Sequence, residues 1–74
     1  MITSYSVKVY DAHYGTSAIL HIAIFDNEHD AKRDLINQVY GRTDSVHRYT
    51  LTKSTLVNKP HAKWQSQVIE DFVS

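Results

Sequence analysis

The sequence predicts an α+β fold, a three-stranded antiparallel sheet with one face covered by helices in the order β-β-α-β-α, built as one small domain over residues 1–74. Three observations carry this expectation. Residues 2–11 alternate between polar and apolar side chains, the period of a half-buried strand. Residues 25–41 repeat apolar side chains at four-residue spacing between a capping start and a glycine stop, as an amphipathic helix does. Residues 61–73 repeat that spacing after Pro60, which suits the first turn of a helix because it has no N–H to leave unpaired.

In the first segment Tyr5, Val7 and Val9 fall on one face and Ser4, Ser6, Lys8 and Tyr10 on the other. Residues 12–17 supply turn chemistry, since Gly15 can take a positive φ without steric cost, so a hairpin follows. Residues 18–25 are apolar on both faces apart from His21, which predicts the central strand of the sheet.

Asn27 or Asp26 can cap the helix that comes next, and Glu28 and Asp30 place negative charge at the positive end of its dipole. Ala31, Leu35 and Val39 form its apolar stripe with Ile36 and Tyr40 beside them, and the expected clamp on the sheet is Leu35, Ile36 and Val39. Gly41 stops it. A loop over residues 42–45 leads into a third strand over residues 46–57, with Tyr49 and Leu51 as its buried pair and Arg48, Thr50 and Thr52 outward. Lys53, followed by Ser54 and Thr55, marks a bulge, a strand end or a charge-protected edge. Residues 58–60 break the strand. The second helix, about residues 60–73, carries Trp64, Val68 and Phe72 with Ile69 and Val73. It is expected to pack beside the first on the core, or else to project and join two copies through Trp64, Val68 and Phe72.

Composition narrows the chemistry. The absence of cysteine removes disulfides, thiolate catalysis and the usual structural zinc sites, and fits a reducing compartment. No apolar run approaches the roughly 20 residues that span a bilayer, and the N-terminus lacks a basic region followed by an apolar segment. The expected location is the cytoplasm, or the host cytoplasm for a viral protein. Formal net charge is zero, but its distribution is uneven. Before Gln38 five carboxylates outnumber Lys8, Lys32 and Arg33, whereas Arg48, Lys53, Lys59 and Lys63 are the formal charges from residue 48 to 63.

Five histidines invite a metal or acid–base reading, but no two stand four apart on a helix. His21 and His47 are the pair that strand geometry could bring to one sheet face. Glu28, His29, Asp30 and Asp34 crowd the first helix, where dipole, cap and the ion pairs Glu28–Lys32 and Asp30–Arg33 account for them. No glycine-framed nucleophile, phosphate loop or acid pair surrounds the serines and threonines. The expectation is therefore no enzyme, no cofactor and no metal.

What remains is a protein-binding module that docks on a larger macromolecular complex and modulates or inhibits it. Its candidate contacts are the hairpin residues Tyr10, Asp11, His13 and Tyr14 with Arg48 and Lys53, on the solvent face or edge of the sheet. In size and in its layout of hairpin, helix and return strand, the chain is similar to small bacteriophage-encoded inhibitors of host polymerases, nucleases and defence complexes. The alternative is an RNA or single-stranded DNA binder using Arg48, Lys53, Lys59 and Lys63, with Tyr49 and Trp64 as rings interleaved among the cations.

Overall fold

The computed structural model describes residues 2–12, 18–43, 46–58 and 61–74. Its elements are β1 (Ile2–Asp11), β2 (Ile19–Phe25), α1 (Glu28–Gly41), β3 (His47–Val57) and β4 (Lys63–Val73). The strands form one antiparallel sheet in the order β2-β1-β3-β4.

Several expectations are overturned. Among the described residues there are a four-stranded sheet and one helix, not three strands and two helices, because the segment expected as a second helix over residues 60–73 is β4. Its spacing misleads: positions four apart share a face of a helix, but four is also a multiple of two, so Trp64 and Val68 share a face of a strand as well. The aromatic and β-branched residues Trp64, Val68, Ile69, Phe72 and Val73 fit a pleated surface, and the stretch pairs with β3 from Val57↔Lys63 to Arg48↔Val73. Further, β2 is an edge strand and not the central one; β1 and β3 hold the middle. Lys53 marks neither an end nor an edge, being paired to Tyr5 on one side and Gln67 on the other.

The registers sort the side chains. Tyr5, Val7 and Val9 of β1 lie beside Phe25, Ala23 and His21 of β2, and Val7 and Val9 beside Leu51 and Tyr49 of β3. This face is the covered one. Val7, Val9, Tyr49 and Leu51 join Ala31 and Leu35 of α1 in the buried core, with Tyr5, Phe25, Val39, Ile69 and Phe72 packed around it. The alternation read in residues 2–11 and the buried pair Tyr49 and Leu51 are therefore present as expected.

Asn27 starts the helix. Its backbone is extended at φ −142°, ψ 154°, its Oδ1 accepts from the Asp30 N–H at 2.8 Å, and its Nδ2 donates back to Asp30 Oδ2 at 2.9 Å. The expected pairs Glu28–Lys32 and Asp30–Arg33 form at 3.3 and 3.0 Å. Of the expected stripe, Ala31 and Leu35 are buried and Val39 packs against the core, but Ile36 and Tyr40 point to solvent at 52% and 79% exposure, so Ile36 is no part of the clamp. At 14 residues the helix spans about 21 Å, against about 36 Å for an 11-residue strand, so the sheet outruns it. The molecule is accordingly long and thin, 46 × 24 × 15 Å.

Candidate functional site

Among the described residues no helix lies over the second face of the sheet. Rows running across the strands place Ile24, Ser6, Thr52 and Val68 in one line, Ile22, Lys8, Thr50 and Asp71 in the next, and Ile19, Tyr10, Arg48 and Val73 in a third. At the far end Ile2, Leu56 and Trp64 form another row. Two irregularities shape this face. Between Val9 and Tyr10 the pairing skips Leu20, bringing Ile19 onto the face; between Leu51 and Thr52 it skips Ile69, so Asp71 and Val73 join Val68 here while Phe72 turns under the helix against Tyr49.

Most of the large apolar side chains that the described residues expose lie on this one face: Ile2, Ile19, Ile22, Ile24, Trp64, Val68 and Val73, each between 46% and 71% accessible. They line the two edge strands and one end, while the centre is polar, with Ser6, Lys8, Thr50 and Thr52. Scattered single apolar residues are ordinary on a surface, but a shared face is not scattered.

Arg48 and Asp71 join β3 to β4 across the face. Nε of Arg48 donates to Asp71 Oδ1 at 2.9 Å and Nη2 to Oδ2 at 2.7 Å, a two-pronged pair. The hydrogen bond from Arg48 holds the Asp71 carboxyl below its ordinary range and raises Arg48 further, against the opposing effect of desolvation. A carboxyl depressed on folding contributes stability above its unfolded pKa, near 4, and loses it as pH falls through the folded value. Asp71→Asn is therefore expected to melt lower than the wild type at neutral pH and to converge on it below about pH 4, read by thermal melts across a pH series. Asp30, lowered mainly by the Asn27 side chain, leaves the variant some acid sensitivity of the same sign.

The expected site residues are only partly brought together. Tyr10 and Arg48 are cross-strand neighbours on the open face. Asp11 sits opposite His47 on the other face, at the sheet end where its N–H donates to the Ala18 carbonyl at 3.0 Å. Lys53 is also on the helix side, five residues from Arg48. His13, Tyr14 and Lys59 lie outside the described residues. Of the alternative's cations, Lys53 and Lys63 line the helix-side face beyond the helix, while Arg48 is on the opposite face and held by Asp71, so these three form no stripe.

His21 and His47 do share a face, the covered one, with β1 between them. His47 is 4% exposed, and His21 Nε2 meets Asp34 Oδ2 at 2.8 Å, tying β2 to α1. No group of three or more potential metal ligands occurs among the described residues, and no helix among them is long and apolar enough to cross a membrane. The sequence reading missed Lys8, Ile22, Ile24, Val68 and Asp71 as surface neighbours. The signal for two of them was present: a strand apolar on both faces must show one apolar row wherever a single layer covers it. Comparison with protein-family models, with curated proteins and with solved structures gives no match.

Proposed function

We propose that this chain is a non-catalytic docking module that modulates a larger protein complex by seating its open sheet face on it. The observation that supports this reading is the concentration of exposed Ile, Val and Trp side chains on that face, around a polar centre. The apolar residues at its two edges supply contact area and the polar groups between them fix the register, the inverse of the common arrangement of an apolar centre in a polar rim. Lys8 makes no ion pair among the described residues, so the fitting partner surface is apolar with a carboxylate opposite Lys8. Nucleic acid is the weaker fit, because Arg48, the cation beside Tyr10 on the face, is already engaged by Asp71.

The test is affinity capture with the tagged chain, Val68→Asp and Lys8→Glu on the face, and Ile36→Asp on the outer side of α1. A protein retained by the wild type and Ile36→Asp but lost by both face variants is the expected result. Equal capture by all four overturns the reading. So does tight binding of mixed oligonucleotides whose affinity falls steeply with salt, the mark of phosphate contacts.

A further inference from the structure

The two edges of the sheet are built differently. β4 carries Lys63, Glu70 and Asp71 and an irregular register opposite Leu51 and Thr52, the devices by which sheets keep their edges from pairing with other chains. β2 is Ile-Leu-His-Ile-Ala-Ile-Phe. It has no Asp, Glu, Lys, Arg, Pro or Gly, and its one polar side chain is turned inward onto Asp34. A run of this kind, strongly β-forming and uncharged, pairs readily along any open edge. Its outer edge has no strand beside it among the described residues.

We propose that β2 is the interface of a homodimer, in which two copies pair antiparallel through this edge about a twofold axis and continue the two sheets as one of eight strands. The occupant is a second copy because the edge complements itself. Centred on Ala23, the register sets Ile22 of each copy beside Ile24 of the other on the open face. The small Ala23 side chains meet at the axis on the helix side, and His21 faces Phe25. This register uses the regular part of the strand and leaves the skipped Leu20 outside it. No like charges are opposed along the strand. The flank of α1 that comes to face its counterpart carries both signs: Asp30, Arg33, Asp34 and Asn37 line, with Phe25, a depression of about 490 Å³ beside β2.

Area points the same way. The chain exposes 5143 Å², about a tenth more than the roughly 4,700 Å² expected for a folded monomer of its mass. Closing one edge over the five residues 21–25 removes a few hundred Å² per copy, the order of that surplus and of the smaller specific interfaces. Packing the open faces together instead would bury Lys8 without an ionic partner, which edge pairing avoids. The dimer does not depend on the docking reading, and it leaves Lys8 and Val68 free for a partner.

The purified chain tests it with nothing added. By sedimentation equilibrium the wild type is expected at twice its 8.5 kDa mass, and Ile24→Lys at the single mass with an unchanged circular dichroism spectrum. Because the chain has no cysteine, Ala23→Cys carries a single thiol, expected to form an intermolecular disulfide across the axis within the time that Gln67→Cys on β4 stays reduced. A wild type that remains monomeric up to millimolar concentration overturns the proposal. So does a dimer that survives Ile24→Lys, or one in which Gln67→Cys cross-links and Ala23→Cys does not.

Discussion

Tyr49→Ala is expected to cost about 3–5 kcal/mol. Total stability for a domain of this length is about 4–11 kcal/mol, so one such loss is a large part of it. The effect follows from position. Tyr49 is fully buried on the middle strand β3, with Val9 beside it on β1 and Phe72 beside it on β4. Its ring stacks on Phe72 with centroids 5.3 Å apart and planes 22° from parallel, and His47 lies at 6.1 Å. The helix packs over β1, β2 and β3, so the covered side of β4 is held chiefly by Phe72 against Tyr49 and by Ile69 at the core's margin. Removing the ring opens a cavity and loosens β4 together. Urea unfolding monitored by far-ultraviolet circular dichroism checks it; a shift below 1 kcal/mol would mean the ring is not the joint described.

How far the sequence carried this fold depends on which signals had a single meaning. Tyr5, Val7 and Val9 alternate with polar residues, which only a strand satisfies, and β1 occupies the expected residues 2–11. Asn27 and the acidic first turn start a helix for separate physical reasons, and α1 runs from Glu28 to Gly41, where Gly41 is the last helical residue and Arg42 the C-cap in place of the expected glycine stop. The tail had only a spacing. Trp64, Val68 and Phe72 satisfy both periods, and the skipped Ile69 hides the strand alternation further by sending Phe72 to the face opposite Trp64 and Val68. That error also concealed the Arg48–Asp71 pair, since a helical tail would not have set Asp71 across from β3. For β2, apolar residues on both faces predict the central strand, but β2 stands at the edge, and the one helix among the described residues covers only one face of the sheet. Neither the open face nor the free edge could emerge until the strand order was known.

Leu35→Ala is expected to cost about 2–5 kcal/mol, although it lies on a helix with two further apolar residues in its sequence stripe. Among the described residues of α1 only Ala31 and Leu35 are buried, and alanine offers the core little more than its backbone and one methyl group. Leu35 is therefore the large side chain that holds the helix down, at 6% exposure between Ala31 and the half-buried Val39. A depression of about 330 Å³ lined by Leu35, Val39 and Phe72 already opens beside it toward β4, so the wall left by alanine has no neighbour to collapse onto from that side. Ile36→Ala, one position on and 52% exposed, is expected within about 0.5 kcal/mol of the wild type. The contrast separates a helix that serves as the lid of the core from one that offers its apolar stripe to a partner. A lid gives a large loss at Leu35 alone, with helix and sheet signals lost in one transition. A partner-facing stripe would give small and similar losses at both positions. Under the first outcome α1 is the lid of the core, and the proposed docking is left to the sheet surfaces that it does not cover.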